Sequence, residues 1–308
     1  MQKLTIIVPA YNEKENIRLF YEAVEPFLKN PEYESKYLFI DDGSYDGTLE
    51  EIKKLREEDS RVNFISFSRN CGKEAAMQAG LKASLNEDCV IMMDSDLQHP
   101  PYLIEEMLKK REEGYKIVYT RQKSRKGDKG SNRFFAHMFY AIFNKYSDVG
   151  IEQSVKDYML LDKAVVKAFV DMPDEYRFTR GIFSYVGFKK TCLEFDFVKR
   201  EKGKTKWNFG KLLRYGVNGL NQFSNVFIII PVVAGIIAFL AMVASLVLFL
   251  THVFGLEGFL ILLISSFLFF LTDLILYFTM MVLYSTRREV IHRPLYFIEE
   301  SSIDEKVW

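Results

Sequence analysis

The chain has 308 residues, 49% of them hydrophobic and 15% aromatic, and its 41 basic side chains balance 41 acidic ones. A formal charge of zero argues against a protein that coats nucleic acid. Three widely spaced cysteines, Cys71, Cys89 and Cys192, form neither a disulfide framework nor a zinc pattern, so a reducing compartment is the simplest reading.

At the N-terminus, Lys3 followed by the strand-like LTIIV and Pro9 is not a signal-peptide layout. From there apolar strand-like runs alternate with helical patterns. LTIIV precedes ENIRLFYEAVEPFL, YLFI precedes TLEEIKKLREE, and VNFISF precedes EAAMQAGLKASL. VIMM then precedes YLIEEMLKKREE, and KIVYT follows. Each crossover is long enough for a helix and each strand is nearly continuous in apolar character, which predicts a parallel sheet covered on both faces.

Each of the five runs ends in polar residues. The first leads into Pro9, Tyr11, Asn12 and Glu13, and the second into Asp41, Asp42, Gly43 and Ser44. Arg69, Asn70, Gly72 and Lys73 follow the third, Asp94, Asp96 and Gln98 the fourth, and Arg121 the fifth. Ligands of open α/β sheets bind outside the carboxyl ends of strands. Ser44, Asp46 and Thr48 fit a turn and a helix N-cap. The acids are harder to explain as turn residues. In extended chain Asp94 and Asp96 point to the same side, and two such carboxylates suit a divalent cation with hard oxygen ligands and a substrate phosphate. Gln98 offers a third oxygen. The competing reading is a surface loop with solvated acids. Neither G-x-G-x-x-G nor G-x-x-x-x-G-K-[ST] is present.

Between Arg214 and Arg287 the only formally charged residues are Glu257 and Asp273. Residues 226–254 and 258–286 are each long enough to cross a hydrocarbon core, for which roughly 20 residues suffice. Lys204, Lys206, Lys211 and Arg214 precede this hairpin, and Arg287, Arg288 and Arg293 follow it. Both termini are therefore expected on the cytoplasmic side, with the tip near Glu257 outside. A lone intramembrane acid is costly, so Asp273 is expected to pair against a neighbouring helix, including one across an oligomer interface. Residues 131–146 carry Phe134, Phe135, Met138, Phe139, Ile142 and Phe143 at helical spacing, which suits an interfacial helix or a face packed on the sheet. The basic run from Arg200 to Arg214 suits anionic lipid or a lipid phosphate. His99, His137, His252 and His292 show no ligand spacing and are taken as structural.

The stretches IVPAYNEKENI, FIDDGSYDGT, SRNCGKEAAMQAGL, MDSDLQHPP, VKDYMLLD, RFTRGIFSYVGFK and KGKTKWNFGKLLR resemble the family 2 glycosyltransferases. Within them the likeness is to polyprenyl-phosphate sugar transferases of the bactoprenol glucosyltransferase and dolichyl-phosphate mannose synthase types. It runs over nearly the whole chain. The resemblance implies a nucleotide-sugar-binding GT-A domain, Rossmann-like and mostly parallel, over residues 1–200. A basic juxtamembrane segment (201–225), a transmembrane hairpin (226–286) and a cytoplasmic tail (287–308) would follow.

It also implies residue roles. Pro9, Tyr11, Glu13, Asp41 or Asp42, Lys73, Asp94 and Ser95 would bind the nucleotide. Asp94, Asp96 and Gln98 would hold Mg²⁺ or Mn²⁺ on the donor diphosphate, with Asp96 and Asp157 the catalytic carboxylates. Arg121, Arg133, Arg200 and Lys206 would bind diphosphate or lipid phosphate. The implied reaction is inverting transfer of one sugar, from a UDP-sugar in preference, to polyprenyl (undecaprenyl) phosphate at the plasma membrane. The Q-x-x-R-W motif of processive synthases is missing. Two alternatives stand beside it: transfer to another lipid acceptor, and a catalytically silent nucleotide-sugar-binding scaffold in a glycan export complex.

Overall fold

The computed structural model describes residues 1–123, 155–172, 178–196, 257–291 and 294–303, with short stretches inside 140–150, 216–223 and 233–240. Five strands run where the apolar blocks predict them: β1 (Gln2–Ala10), β2 (Tyr33–Asp41), β3 (Val62–Phe67), β4 (Cys89–Met92) and β5 (Ile117–Gln122). The helices between them are α1 (Lys14–Val24), α2 (Thr48–Glu58), α3 (Lys73–Ala83) and α4 (Leu103–Glu112). Three further strands complete the sheet: β6 (Val155–Asp162), β7 (Lys190–Phe195) and β8 (Ile298–Ser301). The order is β7-β5-β6-β4-β1-β2-β3-β8.

The chain builds β1, β2 and β3 in one direction and then returns to place β4 on the other side of β1. That reversal opens a crevice at the carboxyl ends of β1 and β4, where α/β sheets bind ligands. The β1–β4 ladder ends at Ile7 opposite Met92. Pro9, two residues on, therefore costs no ladder bond on that side.

Alternation along the strands divides the core. Leu4, Ile6 and Val8 face one layer with Phe20, Ile52 and Met107, beneath α1, α2 and α4. Ile7, Ile40, Val90 and Met92 face the other, with Ala76, Ala79 and Leu81 of α3, Val166 and Phe169 of α5 (Lys163–Asp171) and Ile182 of α6 (Thr179–Tyr185). Helix α3 rides close on the sheet because its inner face is Ala and Gly. A Cβ at Gly80 would lie 2.4 Å from Ile7 Cγ2.

The sheet is not wholly parallel. β6 lies antiparallel between β4 and β5, and β8 lies antiparallel against β3. β8 belongs to the expected C-terminal tail. It covers the β3 edge, which would otherwise expose unpaired backbone. Around it Lys53 pairs with Glu300 at 2.6 Å, Phe67 stacks on Tyr296 at 4.7 Å, and Ser68 N–H donates to the Phe297 carbonyl.

One described helix is long and apolar enough to cross a membrane. This is α7 (Glu257–Ile291), about 52 Å long at 1.5 Å per residue. Its segment Phe267–Thr286 has a mean hydropathy of 2.0 and is almost entirely unburied. Phe269, Phe270, Tyr277, Met280 and Tyr284 stand exposed along it. The hydroxyls of Thr272, Thr279 and Thr286 each donate to the carbonyl four residues earlier, which satisfies them within the helix. Asp273 is exposed on the same helix. Of the expected first span, 226–254, only 233–237 and 240 are described, and there Gly235 approaches Ile275 of α7. The 131–146 helix lies mostly outside the described residues, and the basic run 200–214, His137, His252 and His292 lie wholly outside them.

Candidate active site

The loops after β1 and β2 are tied together by the residues expected to form turns and caps. Ser44 Oγ accepts the Asn12 N–H at 2.9 Å, and Thr48 Oγ1 accepts the Glu13 N–H at 2.9 Å. Asp46 Oδ1 accepts the Thr48 N–H at 3.0 Å at the start of α2. This lattice fixes Pro9, Tyr11 and Glu13 beside the end of β2. Tyr11 meets the exposed Tyr45 edge to face, with 6.2 Å between ring centres.

Asp41 ends β2 and Asp42 follows it, and both are buried. Asp41 accepts from Ser66 Oγ at 2.8 Å and from the Ser44 N–H at 3.2 Å. Asp42 reaches the loop after β3, where it accepts from Asn70 Nδ2 (2.9 Å), Cys71 N–H (2.6 Å) and Gly72 N–H (2.9 Å). Asp42 thus anchors the backbone immediately before α3, and so the position of Lys73. Burial pushes its carboxyl up to about 6, against the opposing pull of the Cys71 and Gly72 N–H groups.

An ordinary aspartate titrates near 4, so the folded state holds this proton more tightly than the unfolded chain does. The contribution of Asp42 to stability is therefore greatest below pH 4 and falls as pH rises towards 6. Asp42→Asn is expected to remove that slope. Between pH 4 and 6, wild-type stability should drop relative to the variant by up to roughly 1.4 kcal/mol per pH unit. Thermal unfolding of both proteins in detergent across this range checks it, and parallel pH profiles would refute it.

On the other side of the crevice, β4 delivers Asp94, Ser95, Asp96 and Gln98. Asp96 and Ser95 are buried, and Asp96 Oδ1 accepts the Gln98 N–H at 3.1 Å. Leu97 between them has φ +57°, a left-handed conformation that is strained for a branched aliphatic residue. Strain of this kind persists where the surroundings enforce one loop shape. His99 contributes to that enforcement. It is buried, its Nδ1 accepts the Asp94 N–H at 3.2 Å, and its ring stacks on Tyr158 at 5.1 Å. Burial lowers its pKa and keeps the ring neutral, as an acceptor must be.

Asp157 arrives from β6. The antiparallel ladder sets Met92 opposite Met159, so continuing two residues along each strand brings Asp94 opposite Asp157. Lys73 closes the gap between them. Its Nζ lies 2.6 and 2.9 Å from the two Asp94 oxygens and 2.8 Å from Asp157 Oδ2. The lysine is about a quarter exposed (26%). Burial works against its charge, but Asp157 and Asp94 outweigh that and hold its pKa above the ordinary lysine range.

Arg121 pairs with Glu194 of β7 at 2.5 Å, both partly exposed, so a phosphate would have to share it with that carboxylate. Arg133, Arg200 and Lys206 lie outside the described residues. The bridging position of Lys73 and the support from His99 were not apparent in the sequence. Both depend on β6 entering the sheet beside β4, which no local pattern indicates.

Asp94, Asp96 and Gln98, the residues expected to hold a metal, would offer it oxygen atoms, which suit Mg²⁺ or Mn²⁺ better than zinc or copper. Among the described residues no group of three or more His, Cys, Asp and Glu gathers around one point.

The sequence model of Glycosyl transferase family 2 matches residues 5–168. Over 313 residues the chain is 36% identical to "Putative glycosyltransferase CsbB" of Bacillus subtilis (strain 168), covering 98% of this chain and 93% of that protein. It is 37% identical over 222 residues to the "Prophage bactoprenol glucosyl transferase homolog" of Escherichia coli (strain K12), covering 72% of each. A solved structure of glucosyl-3-phosphoglycerate synthase from Mycobacterium tuberculosis, in complex with phosphoglyceric acid, overlaps with a TM-score of 0.50. That overlap covers 72% of this chain and 80% of that one at 15% identity, a likeness of fold alone. With its carboxylates gathered at the sheet's switch point and this extent of sequence likeness, the chain belongs to glycosyl transferase family 2.

Proposed function

We propose that the protein moves one sugar from a nucleotide-sugar, a UDP-sugar in preference, to polyprenyl phosphate at the cytoplasmic face of the plasma membrane, with inversion at the anomeric carbon. The observation that carries this reading is the meeting of Asp94, just beyond β4, with Asp157, near the start of the antiparallel β6, on the single ammonium of Lys73, with Asp96 two residues on from Asp94. Donor and acceptor would approach from opposite sides of that gap. Relatives of 36–37% identity named bactoprenol glucosyl transferase support the lipid phosphate as acceptor.

In this reading Pro9, Tyr11, Glu13, Asp41 and Asp42 shape the nucleotide pocket, with Lys73 and Ser95 beside the diphosphate. Asp94, Asp96 and Gln98 hold the divalent ion, which when bound neutralises charge developing on the departing nucleoside diphosphate. Arg121, Arg133, Arg200 and Lys206 draw in phosphate. A lipid phosphate oxygen attacks the anomeric carbon as the bond from that carbon to the diphosphate oxygen breaks. A phosphate monoester has its second pKa near 6, so the nucleophile is already ionised at neutral pH. Asp157 is then needed to orient it rather than to take a proton.

Chain geometry supports a membrane anchor. β1 to β7 and β8 share one sheet, so the stretches before residue 197 and after residue 297 lie on one side of any membrane α7 crosses. If α7 crosses once, the chain between residues 197 and 256 must cross as well. The apolar run 226–254 is the only stretch there of sufficient length. This supports two spans with the catalytic domain and both ends cytoplasmic, and a homo-oligomer would form through that hairpin.

The test uses purified protein, undecaprenyl phosphate, Mg²⁺ or Mn²⁺, and a panel of UDP- and GDP-sugars, with mass spectrometry as the readout. A lipid phosphate heavier by one sugar, lost on adding EDTA, is the expected product. No product from any donor, while nucleotide-sugar binding persists, would overturn the reading in favour of another acceptor lipid or a silent scaffold.

A further inference from the structure

We propose that Lys73 is a built-in counter-ion that keeps Asp94 closed to a bare divalent cation, so that the metal enters together with the donor diphosphate. This rests on the reading of Asp94 and Asp96 as the metal carboxylates. The lysine does not merely lie near them. Its ammonium is within 2.6–2.9 Å of both Asp94 oxygens and within 2.8 Å of Asp157, so it occupies the space between donor-side and acceptor-side carboxylates.

Its position is also fixed from behind. Asp42 grips the N–H groups of Cys71 and Gly72, and the lack of a side chain at Gly80 lets α3 pack closely over Ile7 of the sheet. A divalent ion arriving alone on Asp94 would therefore meet a positive charge already bonded to the same oxygens, and like charges at such range repel strongly. A diphosphate arriving with the ion changes the balance. Its negative charge offers the ammonium a new partner, and Asp94 is released to the metal while Asp157 keeps its contact. A lysine of purely architectural value would join β4 to β6 and have no such effect on metal entry.

Mn²⁺ binding to the full-length protein in detergent, read by the electron paramagnetic resonance of the free ion, separates the two roles. Without nucleotide, Lys73→Met and Lys73→Gln are each expected to bind Mn²⁺ about tenfold more tightly than wild type. Lys73→Gln retains hydrogen-bonding capacity if Lys73→Met does not fold. Lys73→Arg, which keeps the charge, is expected to bind as weakly as wild type. Saturating UDP should reduce the gap between wild type and the neutral variants to less than about threefold. Unchanged or weaker Mn²⁺ binding by the folded neutral variants without UDP would overturn the counter-ion role. Absence of Mn²⁺ binding in every protein, with UDP present, would instead overturn the metal reading of Asp94 and Asp96 on which it depends.

Discussion

Asp96→Asn is expected to lower the rate of sugar transfer by a factor on the order of 10³ while leaving the protein folded. Asp96 is buried, and one of its oxygens already holds the Gln98 N–H in the strained turn through Leu97. An amide at that place keeps an acceptor for the N–H and nearly the same volume, so the turn should survive. What it loses is the negative charge that would face the metal. Transfer rates at saturating donor, taken across a Mn²⁺ titration and beside a thermal melt, test this. A variant within tenfold of wild type at every metal concentration would remove Asp96 from the metal site. The same variant is informative about the silent-scaffold alternative, because a scaffold would tolerate it.

Asp157→Asn is expected to lower transfer by about 10²-fold, through loss of acceptor positioning. The shape of the pH profile matters more than its height. If the lipid phosphate attacks in its ionised form, activity should rise through a pH near 6 in both wild type and variant. The two curves should then run parallel on a logarithmic scale. A general base at Asp157 would give a rising limb that belongs to the carboxylate and disappears in the variant. The Asp157 carboxylate is held by Lys73 at 2.8 Å, a contact that fixes its orientation.

Much of the protein could be read in local pattern. The alternation of β1 to β5 with α1 to α4, and the polar residues at every carboxyl end, follow from side-chain periodicity and the turn chemistry of Asp, Asn and Gly. The bland assignment of Ser44, Asp46 and Thr48 agrees with their observed bonds to the loop after β1 and the start of α2. The apolar surface of α7 was equally visible, since unbroken hydrophobicity over that length needs no tertiary information. The expected first span, 226–254, lies largely outside the described residues.

Other features were not legible. In VKDYMLLD the unbroken apolar run is only Tyr158–Leu161, and nothing in it names β4 and β5 as partners. IEES, in β8, is too short and polar to announce a strand at all. Strand neighbours are set by pairing across long stretches of chain, and local periodicity carries no record of which edge is free.

That distinction applies to the site itself. The sequence by itself determined that acids would stand at the ends of β2 and β4, because a buried strand must end in residues that can meet water or a ligand. Only the tertiary structure decided that Asp157 would face Asp94, because antiparallel insertion of β6 turns its first residues towards the carboxyl edge. Only the tertiary structure decided that Lys73 would join the two, since Asp94, Asp157 and Lys73 come from separate elements and must converge before one ammonium can bridge the two acids.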